Sequence, residues 1–116
     1  MQRVATKNTR GPNAAEKRHM AWVKERGKCA ALDVFTAVTA HHCEGATFRH
    51  NKVLVGHWFV LGLSKLADDF VTHGSRRKFR EQFGPQSELW LRQLEDYPHQ
   101  DEVPYEVVEA IRAWGR

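Results

Sequence analysis

Residues 32–42, Leu-Asp-Val-Phe-Thr-Ala-Val-Thr-Ala-His-His, decide how this chain is read. Positions 32–40 are rich in β-branched and apolar side chains, which suit a pleated, half-buried surface. They predict a strand or hairpin arm with His41 and His42 at its end. Further on, His57-Trp58-Phe59-Val60-Leu61-Gly62-Leu63 predicts a second strand or buried connector. Ser64 then offers a cap for a short helix through Thr72, which Gly74 can stop. The expected order is strand, strand, helix. Between the strands, residues 43–56 carry Gly45, Arg49, His50, Asn51 and Lys52 with weak periodicity, which reads as a loop broken by a short strand at Val53-Leu54-Val55.

The flanks are helical in pattern. Asn13 with Glu16 three residues on has capping-box spacing, and Gly27 is placed to end the helix that Ala15, Met20, Trp22, Val23 and Arg26 mark. Ser75 caps a basic helix over 76–83 with Phe79 and Phe83 as its buried stripe. Ser87 starts another, with Leu89, Trp90, Leu91 and Leu94 inward. A last helix begins near Pro104 and runs through Val107, Val108, Ile111 and Trp114 to Gly115. Trp58, Trp90 and Trp114 are assigned to packing, the usual place of a large aromatic ring.

At 116 residues the chain suits one domain. Residues 1–12 read as a flexible basic arm, 13–97 as the main domain and 98–116 as a C-terminal helix on the same domain. Two cysteines, Cys29 and Cys43, rule out a disulfide framework and a four-thiolate zinc site within one chain. No apolar run is long enough to span a membrane and the N-terminus lacks a secretory pattern, so a soluble, cytoplasmic protein is expected. The net charge of +4 is unevenly spread. Residues 1–28 hold eight Lys/Arg against two acids, whereas 87–116 hold three against seven. A basic front can collect phosphates, and an acidic tail suits a protein partner or solvent.

A His-His pair alone is usually polar surface. Here His41, His42, His50, His57 and His73 fall within 33 residues, which favours a metal or acid–base site. On a helix over 64–72, Leu66, Ala67, Phe70 and Val71 would face inward. Asp69 and His73, four apart, would share a face, with Asp68 about 100° away, so Asp69/His73 is the preferred ligand pair. The order His41-His42, Asn51, Asp68-Asp69, His73 suits a single-metal nuclease site of the ββα (HNH) type, in which one imidazole takes a proton from water, one amide holds that imidazole, and two or three ligands grip a divalent cation. Magnesium or manganese is expected from cellular availability. Arg49, Lys52, Arg76, Arg77, Lys78 and Arg80 are the expected DNA contacts. The fold class expected is α+β, mostly helical, with a small ββα-metal core and flanking helices.

The run Ala15-Glu16-Lys17-Arg18-His19-Met20-Ala21-Trp22-Val23, the Cys29 segment, Ala40-His41-His42, and Leu63 through Gly74-Ser75-Arg76-Arg77 resemble phage HNH nucleases of the Ref (recombination enhancement) type. The resemblance covers about residues 14–92. It implies a RecA-dependent DNA endonuclease with a ββα metal site, acting in a bacterial host cell on DNA and RecA filaments, without a small-molecule cofactor. It gives His41 the role of metal ligand, His42 that of general base, Asn51 that of central asparagine, and Asp69 and His73 those of helix ligands, with His50 and His57 in reserve. The family pattern also carries structural zinc on two Cys-x-x-Cys pairs. At those places this chain has Cys29-Ala30-Ala31-Leu32 and Ser64-Lys65-Leu66-Ala67, so structural zinc is expected to be absent and apolar packing of Leu32, Leu66 and Ala67 to replace it. The competing reading is a catalytically inactive descendant that binds DNA or a host recombination protein.

Overall fold

The computed structural model describes residues 11–45 and 47–114. Most of the predicted arm, including Arg3, Lys7 and Arg10, lies outside the described residues, as does Gly115. The rest is α+β and mostly helical, with elements α1 Ala14–Arg26, β1 Lys28–Cys29, β2 Val34–Phe35, β3 Thr39–His42, β4 Arg49–His50, β5 Val53–Leu54, β6 Val60–Leu63, α2 Lys65–His73, α3 Arg76–Phe83, α4 Gln86–Glu95 and α5 Tyr105–Trp114.

The capping box forms as its spacing requires. Asn13 Oδ1 accepts from the Glu16 N–H at 2.8 Å and Glu16 Oε1 accepts from the Asn13 N–H at 2.8 Å. Gly27 ends α1 at φ 62°, a left-handed conformation that favours glycine. The fully buried residues of α1 are Glu16, His19 and Val23, one per turn, with Ala15 and Trp22 partly buried against the same core.

The site is framed by β3 and β6, an antiparallel pair in which Ala40 faces Gly62, His41 faces Leu61 and His42 faces Val60. Alternation sends Ala40, His42, Val60 and Gly62 to one side and Thr39, His41, Leu61 and Leu63 to the other. The first side is covered by α1: a Cβ on Gly62 would come within 3.0 Å of Val23 Cγ1 and of the Lys28 carbonyl oxygen. The second side meets α2. The outer edge of β6 is closed by a side chain, because buried Gln93 accepts from the Gly62 N–H at 3.0 Å and donates to the Val60 carbonyl at 3.0 Å.

One core joins these parts. Val55, Trp58, Phe59, Leu61, Leu63, Ala67, Phe79, Trp90, Tyr97, Val107 and Ile111 belong to a single buried cluster, so α5 packs on the same body as the strands. Trp58 and Trp90 are packing residues as expected, the Trp90 indole N–H donating to the Trp58 carbonyl at 2.8 Å. Trp114 is half-buried, its ring 5.6 Å from that of Phe59.

Three local expectations are corrected. The 32–40 arm is not continuous: Val34–Phe35 forms a hairpin with Lys28–Cys29, and only Thr39–His42 joins the central pair. Of the three apolar replacements for zinc ligands, Ala67 is buried but Leu32 and Leu66 are 37% and 71% exposed. Residues 43–56 hold a hairpin, β4 with β5, whose two-residue turn is Asn51-Lys52. Among the described residues no helix is long and apolar enough to cross a membrane.

Candidate functional site

The end of β3 carries two side-chain pairs. On the α2 side, His41 Nδ1 lies 3.1 Å from Asp68 Oδ1, both groups partly buried. On the α1 side, His42 Nε2 lies 3.1 Å from His57 Nδ1, with the rings edge to face at 81° and centroids 5.2 Å apart. Burial, then the neighbouring His57 and His41, push the His42 imidazole below its ordinary range, which keeps it neutral at neutral pH. A neutral imidazole has a lone pair with which to take a proton.

The expected ligand trio His41, Asp69 and His73 does not come together. Ala67 and Val71 are the residues of α2 that enter the core, and this rotation turns Asp68 toward β3. Asp69 and His73 do share a face, but it is the one that, with Phe70 of α2, Ser75, and Lys78 of α3, lines an open groove of about 590 Å³. Asp69 pairs instead with Lys65, at 3.2 Å. Among the described residues no group of three or more His, Cys, Asp and Glu side chains is gathered for a metal.

The His41–Asp68 pair fits two positions of a hard divalent cation. Adjacent donors about 2.1 Å from an octahedral cation lie about 3 Å apart, close to the spacing found here. Magnesium and manganese complete such a shell with water and substrate phosphate. To ligate through Nδ1, His41 must carry its ring proton on Nε2, which frees the Nδ1 lone pair for the cation.

Asn51 has a different local task from the one expected. It sits exposed at the tip of the β4–β5 hairpin with φ 52°, followed by Lys52 at φ 68°. Two successive left-handed residues make the turn that best matches strand twist, and asparagine tolerates that conformation better than most side chains. The contact to His42 comes from His57 instead, in a 3-10 turn over Gly56–Trp58. The resemblance holds His57 only in reserve, and the turn that carries it reads as a strand or buried connector in sequence.

The expected DNA contacts Arg49, Lys52, Arg76, Arg77, Lys78 and Arg80 are all exposed. Arg76 Nη1 is 3.0 Å from Glu44 Oε2, which ties α3 to the segment just beyond His41 and His42. Ser75 Oγ accepts from the Lys78 N–H at 3.3 Å, so one donor at the start of α3 is already satisfied.

With two cysteines, the residues present do not fit a four-thiolate zinc site within one chain. The buried Cys29 thiol receives the Ser64, Leu32 and Ala31 backbone N–H groups and the Ser64 hydroxyl. Burial acts to raise its pKa, but these hydrogen bonds outweigh it and the thiol is lowered overall. Cys43 is also buried, and burial followed by Glu44 pushes its thiol well above the usual range, so it behaves as a packing residue.

Comparison with family models, curated proteins and solved structures gives no match.

Proposed function

We propose that this chain is a metal-dependent DNA endonuclease with an HNH-like strand–strand–helix core. The observation that carries the reading is the His41–Asp68 pair between β3 and α2, with the neutral imidazole of His42 at the next position of the same strand. Its order of motifs, resembling Ref-type phage nucleases, supports the same reading and suggests RecA-coated DNA in a bacterial host cell as the substrate.

In this reading His41 and Asp68 hold the cation, which when bound polarises the scissile phosphate and neutralises the leaving oxygen. His42 takes the proton of the attacking water. Because His41 and His42 flank the strand on opposite sides, the phosphate can reach both only over the end of β3. That end lies beside Glu44 and the Arg76 that pairs with it, and the exposed cations of α3 and of the β4–β5 hairpin bind the flanking phosphates.

The test is nicking of supercoiled DNA and of RecA-coated displacement-loop DNA in Mg²⁺ or Mn²⁺. Wild type cuts and His42→Ala does not, while DNA retention is equal for both. Equal cleavage by the two removes His42 from the mechanism.

A second reading is a non-catalytic DNA-binding protein on the same scaffold, and the observation that favours it is the two-donor rather than three-donor grouping at β3 and α2. It predicts salt-sensitive DNA retention with no cleavage in any divalent ion.

A further inference from the structure

The 3-10 turn that carries His57 is held on both sides. The Val55 and Gly56 N–H groups donate to the Phe48 carbonyl at 2.9 and 3.3 Å, and the Cys43 N–H donates to the Phe59 carbonyl at 3.0 Å. Trp58, next to His57, is 4% exposed and its carbonyl accepts the Trp90 indole N–H. A side chain on a turn fixed in this way has a defined position relative to β3, which is what a group that must orient another requires.

Two neutral imidazoles in N–H···N contact have one donor and one acceptor. If His57 Nδ1 donated, the lone pair of His42 Nε2 would be consumed and Nδ1 of His42 would carry a proton. If His57 Nδ1 accepts, His42 carries its proton on Nε2 and keeps a lone pair on Nδ1. Only the second arrangement leaves His42 able to take a proton from water.

We infer that His57 is a positioning residue that accepts the Nε2–H of His42 and so presents His42 Nδ1, unprotonated, to the attacking water. This rests on the nuclease reading for its purpose but on the 3.1 Å contact for its geometry. It gives to His57 the orienting task that the sequence assigns to Asn51. As His42 gains the proton on Nδ1, the Nε2–H bond to His57 persists, so the proton balance at His57 does not change during the step.

The experiment uses the full chain labelled with ¹⁵N-histidine at neutral pH, without added metal. A scalar coupling between His42 Nε2 and His57 Nδ1, with His42 protonated at Nε2 alone, is the expected result. A proton on His42 Nδ1, or no coupling, overturns the inference. In parallel, His57→Leu is expected to lower kcat for nicking about 10–100-fold with little change in KM, the usual cost of losing an orienting partner. His57→Asn, whose amide oxygen sits close to the place of Nδ1, is expected to restore most of it. Unchanged kcat in His57→Leu also overturns the inference. A wild-type chain that cuts nothing but shows the coupling and the Nε2–H form defeats the nuclease reading and leaves the His42–His57 pairing standing.

Discussion

His41 Nδ1 lies 3.1 Å from Asp68 Oδ1, so the end of the β3 strand and the first turn of the α2 helix are joined by a polar side-chain contact as well as by packing. Asp69, the next residue, points to Lys65 and the α2–α3 groove. The rotation of one helix therefore selects between two adjacent carboxylates.

His19 predicts a pH-dependent stability. Its side chain is fully buried among Trp22, Trp58, Trp90 and Tyr97, with neither ring nitrogen hydrogen-bonded, and burial lowers its pKa to about 4. The unfolded group titrates near 6.5, as the ordinary imidazole does. Because the folded value is depressed, the contribution is complete above about pH 6.5, is lost as pH falls toward 4, and is constant below that. The loss across the window is about 3 kcal/mol. Urea unfolding at pH 7 and pH 4 should show a smaller pH difference for His19→Leu than for wild type by roughly this amount; equal differences would contradict it.

Gln93 should prove a structural residue. Gln93→Leu leaves the Gly62 N–H and the Val60 carbonyl without their partner at the edge of β6, at a cost of about 3 kcal/mol. A shift in the urea midpoint of corresponding size is expected at unchanged slope. A change within about 0.5 kcal/mol, the range of an inconsequential surface substitution, would contradict the role.

Cys29 marks a place where a metal site can be built. Its thiol already meets the Ser64 backbone and hydroxyl, and Leu32 and Ala67 stand three residues beyond Cys29 and Ser64. The combined variant Leu32→Cys, Ser64→Cys, Ala67→Cys is expected to bind one zinc per chain and to melt at a higher temperature with zinc than after chelation. Wild type is expected to show no such difference. A triple variant that folds and takes up no zinc would show that these four positions do not converge.

The legible parts of the fold were those with local signals. Asn13 with Glu16, Ser64 and Ser75 mark helix starts through hydrogen bonds at three-residue spacing, and Gly27 marks a helix end by its left-handed backbone, so local sequence suffices to read them. The shared face of Asp69 and His73 was equally legible. Which face turns toward β3 was not, because it depends on Ala67 and Val71 entering a core built by residues far along the chain. Strands of two residues, such as Arg49–His50, carry too little alternation to be recognised. Asn51 looked like a catalytic amide because a left-handed turn residue and a hydrogen-bonding residue have the same name in a sequence. His19 and Gln93 gave no signal at all, since only the packed structure surrounds one with rings and sets the other against the edge of β6.

The most direct measurement is Mn²⁺ binding by the full chain, followed by electron paramagnetic resonance, for wild type, Asp68→Asn and Asp69→Asn. The account predicts one bound ion in wild type, retained in Asp69→Asn and lost or weakened about 10-fold or more in Asp68→Asn, as removal of a charged ligand requires. Loss in Asp69→Asn with retention in Asp68→Asn, or no bound ion in wild type, would contradict it.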